Sequence, residues 1–182
     1  MRPAPAILLV AAALLALSCR SPAPSRPSPP DWVLVVHGGA GVISPDSVAE
    51  RREGYLDSLE SALNTGSLIL EQGGTALDAV EAVVAVLEDD PRFNAGKGAV
   101  FTWDGEHELD ASIMDGADHR CGAVTGVTTV RNPIRLARLV LERSDHVLLA
   151  GEGAEEFAET QGVARVNNGC LLYTSDAADD RP

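Results

Sequence analysis

The sequence predicts an α/β fold, and three patterns predict it. Val33-Leu34-Val35-Val36 is a continuous, largely β-branched apolar run. Leu109, Ala111 and Ile113 alternate with Glu108, Asp110 and Ser112. Around these, apolar residues recur at helical spacing over 45–72, 75–88 and 133–142. Periods of two and of 3.6 interleaved along one chain mean strands alternating with helices.

Composition narrows the partners. The 182 residues suit one domain, and 45% hydrophobic content is enough for a core. Asp and Glu total 27 against 14 Lys and Arg, a net charge of -13. A surface that acidic excludes a nucleic-acid partner, because phosphate binding needs cationic side chains. With 4% aromatics and 17 glycines, the chain favours closely packed layers over an aromatic binding platform.

Residues 1–19 read as an export signal. Arg2 precedes an apolar run from Ala6 to Leu17, too short to span a bilayer. Ala16-Leu17-Ser18 before Cys19 is similar to a bacterial lipoprotein signal, although the expected Leu falls one place early, at Leu15. The expectation is an exported protein, periplasmic or held to a membrane by a lipid on Cys19. Residues 20–31, rich in Ser and Pro, read as an extended tether.

The domain is expected over 32–168. Val33 to Val36 predicts a strand buried on both faces. His37-Gly38-Gly39-Ala40-Gly41 then turns sharply, as a backbone-lined site wall or a tight turn after a central strand. No Lys-Ser/Thr follows to make it a phosphate cradle. Ser44 and Pro45 open a helix that keeps Tyr55, Leu59, Ala62, Ile69 and Leu70 on one face and breaks at Gly73-Gly74. Thr75 and Asp78, three residues apart, predict a capping box for the next helix. Its Asp78, Glu81, Ala85 and Glu88 form the non-bulky stripe, and Pro91 prevents continuation.

Phe93-Asn94-Ala95-Gly96-Lys97-Gly98 is a loop with two glycines in three residues, which lets the backbone fold back on itself. A small-residue strand, an Asp104-Gly105 turn and an alternating strand predict a hairpin. Cys121 to Val130 predicts a further strand. Asn132-Pro133 predicts a helix start, with Ile134, Leu136, Ala137, Leu139, Val140 and Leu141 inward and Arg135, Arg138 and Glu142 outward. His146 to Ala150 predicts a short buried strand, Gly151 to Gln161 a helix, and Val163 to Val166 the start of another strand. Residues 169–182, GCLLYTSDAADDRP, carry no period and are expected to be non-native or disordered.

Other groupings carry less. Asp110, Asp115, Asp118, His107 and His119 suggest a metal cluster. The strand parity of Asp110 and the Asp115-Gly116 turn favour solvated or hydrogen-bonded roles instead. Cys121 and Cys170 are a conceivable pair, with Cys121 better read as a buried thiol. No zinc spacing, Ser-His-Asp pattern or dinucleotide fingerprint is present.

Four motifs in order carry a resemblance. They are His37 to Gly41, Gly73-Gly74-Thr75-Ala76-Leu77-Asp78-Ala79-Val80, the Leu87 to Gly116 stretch containing FNAGKGAVF and HELDASIMDG, and HVLLAGEGA from His146. Together they resemble the plant-type asparaginase and isoaspartyl peptidase family of N-terminal nucleophile hydrolases. The resemblance implies a four-layer αββα sandwich, of which this chain supplies the first half, the α-subunit portion. It implies hydrolysis of β-aspartyl amide or peptide bonds, with a glycosylated asparagine substrate as a close variant.

Family members cut themselves before a Thr, which then heads a second subunit. Its α-amino group, of pKa about 8, can take the proton of its own hydroxyl. The only Gly-Thr step here is Gly74-Thr75, and that Thr suits a helix cap. The expectation is a chain that lacks the attacking Thr, needs the β-subunit of the same precursor, and hydrolyses nothing alone. The family further implies a dimer of αβ heterodimers and no required cofactor.

It also implies a structural sodium ion on the main-chain carbonyls of Leu87, Glu88, Asp90, Phe93, Ala95 and Lys97, since carbonyl oxygens suit hard cations. Asn94 would lie beside the nucleophile, with Gly38 and Gly39 bordering the cleavage site. Read from the residues alone, Asn94 is a turn Asn bonding local backbone. A different class stays open: an exported lipoprotein that binds a small polar ligand on its loop glycines.

Overall fold

The computed structural model describes residues 31–39 and 45–171. Residues 1–30, where the export signal and most of the tether are expected, residues 40–44, with Ala40, Gly41 and Ser44, and residues 172–182 lie outside the described residues. The chain divides into two units, 1–33 and 34–182, and of the first only Asp31, Trp32 and Val33 are described. Among the described residues the second unit is mixed α/β. Its elements in order are α1 (Pro45–Glu71), α2 (Ala76–Glu88), β1 (Leu109–Met114), β2 (Cys121–Val127), α3 (Pro133–Arg143), β3 (Leu148–Ala150) and α4 (Gly151–Gln161).

The sheet runs β1-β2-β3. β1 and β2 are antiparallel, and α3 crosses over to bring β3 parallel to β2. The pairing slips between Leu109↔Val127 and Ala111↔Val124, one extra residue on β2. Asp110 holds that bulge, accepting from the Thr125 hydroxyl at 2.6 Å and the Gly126 N–H at 2.9 Å. Its role is hydrogen-bonded, as its strand parity predicts. Leu109 and Ile113 turn inward onto Val124, Val127, Ile134, Leu136, Ala137 and Val140, the main core.

A second cluster joins Ala62 of α1 to Val83 and Leu87 of α2 and to Phe93, with Leu34, Val36, Tyr55 and Leu59 packed on it. The Thr75–Asp78 capping box forms, each side chain bonding the other's backbone N–H at 3.1 and 3.0 Å. Glu155 of α4 accepts the N–H groups of Thr128 and Thr129 at 2.6 and 2.9 Å, and bonds the Thr129 hydroxyl and Arg165. Burial pushes the Glu155 carboxyl up, but these donors outweigh it and hold it below the ordinary value.

Several expectations are corrected. Residues 33–36 are extended but not a strand, and no described segment pairs with them. Leu34 and Val36 pack inward while Val35 is 83% exposed. Apolar sequence sets what wants burial; a ladder partner decides whether a strand forms. The Asp104-Gly105 turn closes through Gly105 N–H to Thr102 O, but 99–103 forms no strand and β1 pairs with β2 instead. Leu148 is exposed at the sheet edge rather than buried. Val163 to Val166 contributes only an isolated bridge, Val130↔Arg165.

Candidate functional site

The loop from Leu87 to Val100 is anchored first. Phe93 is buried and meets Tyr55 edge-on, ring centroids 5.7 Å apart. Asp90 bonds the buried Ser58 hydroxyl of α1, and Arg92 donates to both at 2.8 Å. These contacts pin the loop to the α1–α2 pair, so its backbone is held rather than free.

The inner wall is then built from backbone. A Cβ on Gly96, at φ +51°, would lie 2.4 Å from the Glu88 carbonyl oxygen. One on Gly98 would lie 2.2 Å from the Phe93 oxygen and 2.6 Å from that of Pro91. Side chains here would fill a cradle that carbonyl oxygens line. That donor chemistry fits a hard monovalent cation, and the residues present fit the sodium the family implies. The carbonyls of Asp90, Phe93 and Ala95 each accept one backbone N–H, from Phe93, Ala95 and Gly98, and a carbonyl has a second lone pair, whereas that of Leu87 accepts from both Asp89 and Asp90. Among the described residues no group of three or more His, Cys, Asp or Glu side chains could hold a metal, so Asp115, Asp118 and His119 form no cluster.

Asn94 accepts the Val100 N–H at 3.0 Å through Oδ1, closing the loop on itself. The Gly38 turn sits on the same loop, since a Cβ there would meet the Phe93 ring at 3.2 Å and Leu59 at 3.4 Å. Gly39, at φ +96°, donates its N–H to His37 Nδ1 at 3.1 Å. Thus the fold places Gly38 against Phe93, the residue before Asn94. Lys97 is half-buried, in a loop whose glycines face the carbonyl wall.

The Glu88 side chain departs from its expected place. It is 2% exposed, and Oε1 accepts the Ile134 N–H at 3.0 Å. Asn132, expected to cap α3, makes no cap bond; its amide instead reaches Ala85 O and Asp89 across the fold. Glu88 takes over as acceptor at that helix start. Burial pushes its carboxyl up to about 7, against the lowering effect of the Ile134 N–H and the Asn132 amide.

His107 was grouped with acidic neighbours, yet it is buried, stacked on Phe101 at 4.7 Å. The signal was available: it shares parity with Leu109 and Ile113, the inward face of β1. Asn168 holds its backbone, accepting His107 N–H at 3.0 Å and donating to His107 O at 2.8 Å and Thr128 O at 2.9 Å. Cys121 is a free, half-buried thiol.

A mixed α/β domain with a glycine-cradled carbonyl loop beside a His-Gly-Gly turn defines a class that comparison makes specific. The sequence profile of the asparaginase family matches residues 30–179, so the match takes in most of 169–182. A Dictyostelium discoideum protein named for isoaspartyl peptidase/L-asparaginase activity is 54% identical over 132 residues, covering 72% of this chain and 38% of its own. The isoaspartyl peptidase of Salmonella typhimurium is 52% identical over 136 residues, 74% of this chain and 44% of its own. The human isoaspartyl peptidase/L-asparaginase is 50% identical over 135 residues, 74% and 42%.

This chain belongs to the asparaginase family that includes the isoaspartyl peptidases. It spans less than half the length of these relatives. No described helix is long and apolar enough to cross a membrane.

Proposed function

We propose that the whole protein hydrolyses β-aspartyl amide or peptide bonds, releasing aspartate from isoaspartyl dipeptides or ammonia from asparagine. The observation that carries this reading is half-identity, across three-quarters of the chain, to proteins named for those two activities. This chain acts as scaffold. The attacking Thr comes from the part of the relatives' length that it does not span. The freed α-amino group of that Thr takes the proton of its own hydroxyl, and the oxygen attacks the amide carbon. The C–N bond breaks as the amine or ammonia leaves with that proton, and water then hydrolyses the acyl ester to the free carboxylate and restores the Thr.

In this reading Asn94, with Oδ1 engaged by Val100, keeps its Nδ2 end as a donor beside the reacting group. Gly38 and Gly39 border the same place. The carbonyls of Leu87, Glu88, Asp90, Phe93, Ala95 and Lys97 hold sodium, which when bound supplies fixed positive charge and ties the loop down. The sheet described here becomes one of two in a four-layer sandwich, and two αβ heterodimers pair. Residues 1–19 direct export, with lipid on Cys19.

The test separates chain from whole. This chain alone should release neither ammonia from asparagine nor aspartate from isoaspartyl dipeptides, and a full-length precursor should cut itself before a Thr and release both. Turnover by the 182-residue chain would overturn the scaffold reading, and an inert full-length protein would overturn the activity. Cys19→Ala should move the protein from the membrane to the soluble fraction; an unchanged distribution would rule out the anchor.

A further inference from the structure

We propose that His107 is a positioning residue for Asn94, acting through the backbone of Val100. This rests on the reading above, in which Asn94 lies in the active site.

Val100 is held through both of its backbone groups, which belong to the two successive peptide units flanking its Cα. Its N–H donates to Asn94 Oδ1 at 3.0 Å, and its carbonyl oxygen lies 3.1 Å from His107 Nδ1. A carbonyl can only accept, so Nδ1 carries the proton and donates. Val100 itself is 65% exposed and makes no claim on the core, so its backbone position is set by these bonds rather than by its side chain. His107, in contrast, is immobilised. It is 2% exposed, stacks on Phe101, and has its own N–H and C=O both held by Asn168. Asn168 in turn bonds Thr128 O just beyond β2. A continuous set of hydrogen bonds therefore runs from the end of β2, through Asn168, His107 and Val100, to the Asn94 side chain.

The imidazole is not explained by packing. Its other nitrogen, Nε2, is buried without a hydrogen-bond partner among the described residues. A buried unpartnered nitrogen costs stability. A Phe would fill similar space and stack on Phe101 without that cost. What a Phe cannot supply is the Nδ1–H to Val100. The group retained at a cost is the one that fixes the Asn94 partner, which in turn fixes which end of the Asn94 amide remains to donate.

The experiment compares His107→Phe, which keeps a ring without the donor, with His107→Asn, whose amide can reach the Nδ1 position. In the full 182-residue chain, His107→Phe should speed hydrogen exchange of the Val100 amide about tenfold, a change of about 1.4 kcal/mol in local opening. His107→Asn should stay within about threefold of the unsubstituted chain, a loss of under 1 kcal/mol. In the full-length precursor, kcat on an isoaspartyl dipeptide should fall about tenfold in His107→Phe with KM within about twofold, the pattern of a lost transition-state interaction. His107→Asn should recover most of it.

Unchanged Val100 exchange in His107→Phe overturns the proposal, as does faster exchange with undiminished kcat. Asn94→Ala separates the two readings. If it leaves kcat intact, the active-site reading of Asn94 fails, while the exchange data still decide the His107–Val100 link. Should His107→Phe fail to fold, His107→Asn against His107→Gln carries the test, because Gln reaches toward Nε2; equal Val100 exchange in those two overturns the link.

Discussion

Glu88 and Ile134 are joined by a hydrogen bond of 3.0 Å between the last residue of α2 and the first turn of α3. The same Glu88 lends its carbonyl to the glycine cradle. One residue thus ties the loop wall to the helix that covers the sheet. Glu88→Ala should remove the acceptor, strand a buried N–H and leave a cavity, costing about 2–4 kcal/mol. Glu88→Gln keeps an acceptor of the same size and should cost about 1 kcal/mol or less. Urea unfolding at pH 7.0 of the three proteins checks the order; equal losses for Ala and Gln would remove the cap from the account.

The loop glycine Gly98, hemmed in by carbonyl oxygens, should be less replaceable than the turn glycine Gly105, which has only its positive φ against substitution. Gly98→Ala drives a Cβ into the Phe93 oxygen and should cost about 2–3 kcal/mol. Gly105→Ala, at φ +81° with open space around it, should cost about 1 kcal/mol. Thermal unfolding ranks them, and a larger loss at Gly105 would contradict the cradle.

Sodium gives a separate reading of that cradle. A cation that binds only the folded state raises Tm with its concentration. Tm of the full-length protein should climb as sodium replaces a large organic cation at constant ionic strength, and Gly98→Ala should flatten the response. A flat profile in the unsubstituted protein would exclude the cation.

Acid should weaken the α2 cap. Asp78 is held down at about 2, first by the Thr75 hydroxyl, then by the Thr75 backbone and Arg138. A carboxyl lowered on folding stabilises above its unfolded value and loses that contribution as pH falls through its folded value. Stability should therefore drop between about pH 4 and pH 2, by an amount kept small because the group is well exposed to solvent. Asp78→Asn should be less stable at pH 6.0 and lose less on acidification. A parallel pH profile for the two proteins would show that Asp78 is not responsible.

Local features were legible because neighbours in sequence settle them. Thr75 and Asp78 meet within one turn whatever surrounds them, so the capping box could be read directly. Gly151 to Gln161 came out with its expected bounds, and Leu109, Ala111 and Ile113 face inward as their alternation requires. Within the candidate site, the Gly96 and Gly98 pair was visible, since two glycines in three residues mark a close backbone approach.

What pairs across the chain was not legible. Asn132 had the residue type and place of a cap, yet Glu88, 46 residues before Ile134, supplies the acceptor. Val33 to Val36 had strand composition but no described partner, and the strand expected before Asp104 gave way to β2 as the neighbour of β1. Sequence by itself determined the α/β alternation, the Thr75 cap, the glycine loop and the family, because each depends on contacts a few residues apart or on residue identity. Tertiary structure alone decided which strand pairs with which, that Glu88 is buried, and that His107 and Asn94 hold the two backbone groups of Val100. Those outcomes depend on where distant backbone groups find partners once water is excluded, and no local period encodes that.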